Sequence, residues 1–291
     1  MHDYTTLITT RELEERLEAP DVRIVDCRFS LLDPGQGPAQ YARGHIPGAV
    51  YAHLDDDLAA PISAGSGRHP LPDPDRFVGR LRDWGISNDS QVVVYDDASG
   101  GLAARLWWML RWLGHDRVAV LDGGMAAWTA LGFPVSDAVP DPVPGEFEGR
   151  PNADMIVTTA AVVDNLERNR FVLVDARDGA RYRGEAEPID SRAGHIPGSL
   201  SLPFTSSLDA DGRWRAADEL RVAWDALLAG RDGQAVAAMC GSGVTACHLA
   251  LSAARAGLPE PKIYVGSWSE WIRDEARPVA TGADLPAADS R

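Results

Sequence analysis

A cysteine followed by a loop of small residues is the feature of this sequence best suited to chemistry. The apolar run Ala235–Met239 is typical of a buried strand, and Cys240 follows it directly. Gly241 and Gly243 let the chain bend so that several backbone amides point into the loop, and helix-compatible residues begin at Val244. Such amides and a helix N-terminus bind anions and favour the reactive thiolate. The alternative is an inert cysteine buried before a turn.

The composition limits the classes of partner. The chain has 291 residues, 45% of them hydrophobic, which suggests two domains with ample core. A net charge of −15 argues against nucleic acid or an anionic membrane as partner, and an anionic substrate needs local positive charge. No stretch approaches the roughly 20 apolar residues of a membrane span. We therefore expect neither a nucleic-acid nor a membrane partner.

The cysteine count and the absence of other motifs bear on compartment and cofactors. Three cysteines, Cys27, Cys240 and Cys247, do not suggest a disulfide framework, and Cys27 and Cys247 are interpreted as packing residues. The charged N-terminal segment lacks the apolar core of a signal peptide, so a reducing cytoplasm is the expected location. No CxxC pair or His/Cys spacing indicates zinc, and no GxGxxG or P-loop is present. We expect no metal and no cofactor.

The chain contains an internal repeat. Each half has a helix after a threonine, a strand ending in aspartate, a GHIPG segment and a late glycine–tryptophan segment. Strands that alternate with helices predict the α/β class, with two tandem domains, each a mainly parallel sheet flanked by helices. The predicted domains are 1–138 and 152–291, joined by a proline-rich linker at 139–151. The predicted strands are Val22–Asp26, Gln91–Tyr95, Val118–Leu121, Phe171–Asp175, Ala235–Met239 and 262–265.

The two halves share a histidine but differ at the cysteine. His45 and His195 lie in the two GHIPG segments and are interpreted as structural residues that tie each loop to the preceding strand. Alignment of the following helices without a gap puts Asp97 in the place of Cys240. The first domain is therefore predicted to be catalytically silent. It is expected to supply residues that line a site at the domain interface and residues that interact with the catalytic ones.

These motifs resemble the tandem-domain rhodanese sulfurtransferases over residues 5–280, and the loop CGSGVT at 240–245 resembles the 3-mercaptopyruvate sulfurtransferase branch. The resemblance implies that sulfur passes from 3-mercaptopyruvate to a persulfide on Cys240, with release of pyruvate. A thiol acceptor such as thioredoxin, or cyanide, would then take the sulfur. The residues that the resemblance places around the substrate in the loop are Gly241, Gly243, Val244 and Thr245.

The resemblance also implies a Ser–His–Asp relay assembled across the domain interface. Ser242 matches its serine, His69 its histidine and Asp55 its acid. The Asp–His spacing is longer than in the family, so Asp56 or Asp57 could replace Asp55. The alternatives are a serine that only caps the helix and a histidine in a surface loop.

A carboxylate clamp is the third implication of the resemblance. Arg181 matches the family arginine that faces the active cysteine, and its planar fork suits a carboxylate. A second family arginine is replaced by Ile189, and either Arg192 takes over its contact or the contact is absent. The loop residues Gly241 and Ser242 are neutral, whereas the thiosulfate branch carries basic residues there. We therefore expect a preference for 3-mercaptopyruvate, with thiosulfate as the alternative donor.

Two other classes of protein compete with the sulfurtransferase. A cysteine phosphatase needs an arginine six positions after its cysteine, where this chain has Ala246. A non-catalytic persulfide carrier would keep Cys240 but would not need Ser242, Arg181 or His69. The combination of residues therefore favours an enzyme that acts on a small anionic sulfur donor.

Overall fold

The first half of the chain alternates between buried strands and helices. A computed structural model describes residues 3–97, 99–231 and 233–283. Thr9 caps the first helix as predicted, because its side chain accepts from the Glu12 N–H while the Glu12 carboxylate accepts from the Thr9 N–H. The strands are β1 (Leu7–Ile8), β2 (Val22–Asp26), β3 (Val50–Tyr51), β4 (Gln91–Tyr95) and β5 (Val118–Leu121). The helices are α1 (Thr10–Glu14), α2 (Gln36–Arg43), α3 (Pro74–Asp83), α4 (Ala103–Trp112) and α5 (Gly124–Ala130).

The second half repeats this order of elements. Thr158 caps its first long helix, where its side chain accepts from the Ala161 N–H. Short 3₁₀ turns lie at Ala153–Met155 and Phe204–Ser207. The strands are β6 (Ile156–Val157), β7 (Phe171–Asp175), β8 (Leu200–Ser201), β9 (Ala235–Met239) and β10 (Lys262–Tyr264). The helices are α6 (Thr159–Arg168), α7 (Gly179–Arg183), α8 (Ala217–Leu227), α9 (Ala246–Arg255) and α10 (Ser267–Trp271).

Each half forms one five-stranded sheet in which every pairing is parallel. The strand orders are β1-β5-β4-β2-β3 and β6-β10-β9-β7-β8. The predicted α/β class with two tandem parallel-sheet domains is therefore confirmed. In such sheets ligands bind outside the carboxyl ends of the strands, and Cys240 leaves the carboxyl end of the central strand β9.

The strand register corrects the predicted counterpart of the cysteine. The last residues of β4 and β9 pair with the last residues of β2 and β7, so Asp96 follows β4 as Cys240 follows β9. The carbonyls of Asp96 and Cys240 also each accept an N–H from the first turn of the late helix, α5 or α10. The prediction that Asp97 replaces the cysteine is wrong, because the first-half loop is one residue longer than the loop before α9.

The first-half loop holds an anion of its own. Asp96 Oδ1 accepts from the Gly100 N–H at 2.9 Å, and Oδ2 accepts from the Leu102 and Ala103 N–H groups at 2.9 and 3.1 Å. These amides lead into α4, as the active-loop amides lead into α9. An internal carboxylate therefore fills the anion-binding loop of the first domain.

One hydrophobic core runs through both halves of the chain. Helices α4 and α9 pack against each other across the interface, and nearly all of their residues are buried. The shared cluster includes Trp107 and Leu110 of α4 together with Leu249 and Ala253 of α9. Each helix follows the loop at the end of its central strand, so this contact brings the two loops to the same interface.

The proline-rich segment 139–151 contains no helix or strand, yet it packs on the first half. Phe147 is fully buried, its carbonyl accepts from Arg82 Nε at 2.8 Å, and the Gly145 N–H donates to the Arg82 carbonyl. The boundaries at 138 and 152 stay a prediction. None of the helices in the described ranges is both long enough and apolar enough to cross a bilayer.

Candidate active site

The cysteine loop presents its sulfur to a backbone amide. The Gly243 N–H donates to Cys240 Sγ at 3.1 Å, and the Cys240 N–H donates to Ser267 Oγ at 3.1 Å. Gly243 has a φ of +78°, which turns the loop so that its N–H reaches the sulfur. The loop therefore directs one backbone N–H at the sulfur of the proposed nucleophile. Cys240 itself is only 2% exposed.

The structure brings the three predicted relay residues together. His69 Nδ1 lies 2.7 Å from Ser242 Oγ, and His69 Nε2 lies 3.2 Å from Asp55 Oδ1. His69 and Asp55 belong to the first half of the chain, whereas Ser242 belongs to the second. Of the other candidate acids, Asp57 pairs with Arg80 and Asp56 lies beside His53. The geometry therefore selects Asp55 as the partner of the histidine.

The protonation state of the histidine follows from its surroundings. Burial, together with the positive charges of Arg105 and Arg68, lowers the pKa of His69 to about 3, so the imidazole is neutral at physiological pH. Burial raises the pKa of Asp55, yet its side chain is 43% exposed, and water stabilises the ionised form. An ionised Asp55 accepts the Nε2 hydrogen, which leaves Nδ1 to accept the Ser242 hydroxyl hydrogen. The serine is therefore paired with a base.

A cavity of about 250 Å³ lies over the cysteine loop. Arg181 lines it as predicted, and so does Ile189. Arg192 does not line it, because its Nη1 is directed to the Arg277 carbonyl at 3.4 Å. Of the two alternatives for the second family arginine, this placement favours the one in which Arg192 does not take over its contact. The loop residues that line the cavity are Cys240, Gly241, Ser242, Val244 and Thr245.

Arg68 faces the same cavity from the first half, and sequence reasoning missed it. A Cβ added at Gly241 would lie 2.9 Å from Arg68 Nη2 and 3.6 Å from Arg181 Nη2, so both guanidiniums approach the loop. Both also pair with the Asp190 carboxylate. The loop itself is neutral, but these two cations lie beside it. The sequence does contain one indication that Arg68 lies at the site, because Arg68 directly precedes the relay histidine His69.

Arg105 is a second residue that the sequence did not reveal. Its guanidinium is fully buried under the loop, where Nη1 donates to the Gly243 carbonyl at 3.1 Å. Nη2 donates to the His69 carbonyl at 3.1 Å and to the Leu58 carbonyl at 3.3 Å. One side chain of α4 therefore fixes the cysteine loop of one domain to the histidine segment of the other.

The segment that carries the histidine docks closely on the second domain. A Cβ added at Gly67 would lie 2.5 Å from the Gly266 carbonyl oxygen, so only glycine fits at this crossing. The Arg68 N–H donates to Ser269 Oγ in α10 at 3.0 Å. Backbone contacts, and not only side chains, therefore set the position of His69 above the cysteine loop.

Comparison with known proteins agrees with this architecture. The model of the rhodanese-like domain matches the chain twice, at residues 9–131 and 158–274. The chain belongs to the rhodanese family. The resemblance stated from the sequence motifs is thereby confirmed.

Relatives of this rhodanese include enzymes named for two sulfur donors. A probable 3-mercaptopyruvate sulfurtransferase of Pseudomonas aeruginosa is 49% identical over 278 residues, which cover 95% of this chain and 98% of the relative. A thiosulfate sulfurtransferase of Rattus norvegicus is 36% identical, with 93% of each chain covered. The crystal structure of SseA from Escherichia coli, described as a 3-mercaptopyruvate sulfotransferase, matches with a TM-score of 0.79 and 32% identity, over 91% of this chain and 100% of SseA.

The histidines of the two GHIPG segments are structural in this rhodanese. His45 Nδ1 lies 2.9 Å from the Tyr41 carbonyl, and His195 Nδ1 lies 2.8 Å from the Tyr182 carbonyl. Each imidazole also stacks on the ring of the same tyrosine. These tyrosines belong to α2 and α7, so the histidines tie the loop to the preceding helix and not, as predicted, to the preceding strand.

The other cysteines pack in the interior, as predicted. Cys27 is 2% exposed and Cys247 is fully buried in α9, where burial raises its pKa to about 12. Both thiols therefore stay protonated and shielded from solvent. Within the described ranges, no cluster of three or more histidine, cysteine, aspartate or glutamate residues could hold a metal ion.

Two glycines with the same backbone conformation allow the loop geometry to be tested. Gly243 and Gly198 both have a φ of +78°, but a Cβ at Gly243 would lie 2.4 Å from the Val265 carbonyl oxygen, whereas Gly198 has open space. We expect Gly198→Ala to cost about 1–2 kcal/mol for the left-handed conformation alone. Gly243→Ala should cost clearly more, and it should also move the N–H away from Cys240.

Urea unfolding measures the change in stability for each variant. The rate of Cys240 alkylation by iodoacetamide reports whether the loop geometry around the sulfur has changed. We expect Gly243→Ala to slow alkylation and Gly198→Ala to leave the rate unchanged. Equal losses of stability and unchanged alkylation in both variants would contradict the close approach at Val265.

Proposed function

We propose that this rhodanese transfers sulfur from 3-mercaptopyruvate, through a persulfide on Cys240, to a thiol or to cyanide, and releases pyruvate. The observation that carries the proposal is the arrangement of Ser242, His69 and Asp55 beside the cysteine. The relatives from Pseudomonas aeruginosa and Escherichia coli support the same choice of donor.

The first half-reaction forms the persulfide. The Cys240 thiolate attacks the sulfur of the donor, the carbon–sulfur bond breaks, and its electron pair stays on carbon as the enolate of pyruvate. The proton of the donor thiol must then move to that carbon. The cysteine retains a deprotonated persulfide, for which the Gly243 N–H is a suitable donor.

The proton transfer explains the need for the relay. A neutral His69 can receive the proton of the donor thiol through Ser242 and return it by the same route to the enolate carbon. Asp55 orients the imidazole and stabilises it while it is charged. Thiosulfate leaves as sulfite without taking up a proton, so a donor of that kind has no use for this relay.

The second half-reaction restores the enzyme. The thiolate of an acceptor, or cyanide, attacks the outer sulfur, and the sulfur–sulfur bond breaks so that Cys240 leaves as the thiolate. Thioredoxin or another dithiol protein is our proposed physiological acceptor. The three cysteines are all free, which suits work in a reducing cytoplasm.

We also propose that the first domain performs no sulfur transfer of its own. Asp96 stands at the counterpart of the cysteine, and its carboxylate already accepts the loop amides. This domain contributes instead His69 and Asp55 to the site of the second domain.

Thiosulfate remains a second candidate donor. The guanidiniums of Arg68 and Arg181 beside Gly241 suit a dianion, and the relative from Rattus norvegicus is named for thiosulfate. A site that accepts both donors would use the two arginines for either anion and the relay for 3-mercaptopyruvate alone.

The assignment of the nucleophile predicts where sulfur is stored. After incubation with 3-mercaptopyruvate and no acceptor, mass spectrometry of peptides should show one added sulfur on the Cys240 peptide. Cys240→Ser should abolish turnover with an unchanged circular dichroism spectrum, because the loop is held by backbone contacts. Sulfur on the Cys247 or Cys27 peptide would refute this assignment.

The relay predicts a loss of activity that depends on the donor. Ser242→Ala and His69→Ala should each lower kcat with 3-mercaptopyruvate by about a hundredfold or more, the usual effect of removing an acid–base group. Turnover of thiosulfate with cyanide should change little, since sulfite takes up no proton. Steady-state assays with both donors on the same preparations provide the comparison. Equal losses with both donors would mean that these residues only hold the loop in shape.

A further inference from the structure

We propose that exposed apolar side chains at the entrance to the cysteine cavity form the docking surface for a protein that accepts the sulfur. This surface, the apolar mouth, comprises Leu31, Leu32, Ile62 and Ile189. The inference rests on the proposed function for the persulfide on Cys240, and it adds where the acceptor binds. The partner is a dithiol protein whose reactive thiol stands on a protruding loop with apolar neighbours.

Two cavities meet at the apolar mouth. Leu31, Arg68 and His69 line both the cavity of about 250 Å³ over the cysteine loop and an outer cleft of about 540 Å³. Ile62 lines the outer cleft, and Ile189 lines the inner cavity. The outer cleft is therefore continuous with the space in which the reactive sulfur lies, and a partner in the cleft can reach that sulfur.

The apolar side chains of the mouth form a cluster. Leu32 is 94% exposed and Ile62 is 60% exposed, and Leu31 and Ile189 are exposed as well. Three of the four line the two cavities, and Leu32 directly follows Leu31 in the chain. Ile189 stands where the motifs of the family imply an arginine, so this chain gains apolar area at the entrance. Single exposed apolar residues are common, whereas a cluster of them marks an interaction site.

A small acceptor has no use for this surface, because cyanide and small thiols enter the inner cavity without covering its rim. A protein acceptor faces a different constraint. Cys240 is almost fully buried at the base of the inner cavity, so a thiol carried by a protein reaches it only if that protein lies across the entrance. Apolar contact at the mouth would hold the thiol over the persulfide. A small interface of this kind also separates readily after each transfer.

The charges around the outer cleft favour apolar contact as the main attraction. Asp55, Asp56, Arg68 and Arg76 are the charged residues that line the cleft among those the structure describes, and their charges balance. The net charge of the whole chain is −15, which repels an acidic partner at a distance. Such a partner meets no excess of negative charge at the cleft itself, so burial of the apolar mouth decides whether it binds.

The chemistry of sulfur release explains why the partner carries two thiols. The first thiolate of the acceptor attacks the outer sulfur of the Cys240 persulfide, and the electron pair of the broken sulfur–sulfur bond stays on Cys240 as the thiolate. The second thiol then attacks the first acceptor sulfur, gives its proton to the transferred sulfur and forms a disulfide. The transferred sulfur is reduced and leaves as hydrosulfide, while the dithiol is oxidised. The partner therefore supplies both the nucleophile and the reductant.

The test compares protein and small acceptors in the full-length enzyme that carries both Leu32→Asp and Ile62→Asp. Reduced thioredoxin is the protein probe, and dithiothreitol and cyanide are the small acceptors. We expect the KM for thioredoxin to rise about tenfold or more, the usual effect of removing an important apolar side chain from an interface. The constants for dithiothreitol and cyanide should not change, because neither compound covers the mouth.

Two further variants serve as controls. Val139→Asp combined with Val222→Asp adds the same charge at two similarly exposed valines that line neither cavity, and no acceptor should be affected. Leu32→Met combined with Ile62→Val keeps the mouth apolar, so the KM for thioredoxin should stay close to that of the unmodified enzyme.

Several results would overturn the docking surface. These are an unchanged KM for thioredoxin in the aspartate variant, equal losses with dithiothreitol and cyanide, and no transfer to thioredoxin by the unmodified enzyme. A dimer of the unmodified enzyme that the aspartate variant dissociates, seen by size-exclusion chromatography, would also overturn it, because the mouth would then be a contact between subunits. The proposed donor is tested separately, since the persulfide can be loaded from thiosulfate as well, and absence of pyruvate release from 3-mercaptopyruvate would refute the proposed function instead.

Discussion

The site depends on the buried guanidinium of Arg105. This side chain is fully buried, it donates to the carbonyls of Gly243, His69 and Leu58, and no acidic side chain in the described part of the chain pairs with it. Burial of a charge is costly unless hydrogen bonds compensate it, so these three carbonyls must stay where they are. The charge therefore locks the cysteine loop and the histidine segment into one arrangement. It also helps to keep His69 neutral.

The two domains show how one loop geometry serves two purposes. Each central strand ends in a loop that leads into a buried helix, and in each loop backbone amides contact one side chain. In the first domain that side chain is Asp96, whose carboxylate accepts the N–H groups of Gly100, Leu102 and Ala103. In the second it is Cys240, whose sulfur lies under an open cavity. The same loop geometry therefore surrounds an internal carboxylate in one domain and carries the cysteine in the other.

The sequence was sufficient for the fold because local pattern decides it. Apolar runs predicted the bounds of strands such as Val22–Asp26 and Phe171–Asp175, and threonine caps predicted the helix starts. The cysteine loop and the relay residues were also recognisable, since each lies in a short motif. The predicted counterpart Asp97 was wrong, because one extra residue in the first loop shifts the alignment of the helices by one position.

The cation site could not be predicted from local pattern. Arg68 and Asp190 are separated by 122 positions and meet only after the domains have packed. Arg192 was the easier candidate from the sequence, because it lies in the same half of the chain as Cys240 and Arg181. Arg105 likewise stands among apolar residues of α4, and nothing in that helix indicates that its partners lie in two other segments. Strands and helix caps have recognisable local sequence patterns, whereas contacts between domains do not.

The relay beside Cys240 suits a donor whose leaving group must be protonated. The most direct measurement is kcat/KM of the unmodified enzyme for 3-mercaptopyruvate and for thiosulfate, with cyanide as the common acceptor. A relay of Asp55, His69 and Ser242 beside Cys240 predicts the higher value for 3-mercaptopyruvate. A higher value for thiosulfate would contradict this assignment of the donor, because thiosulfate has no step that requires the relay.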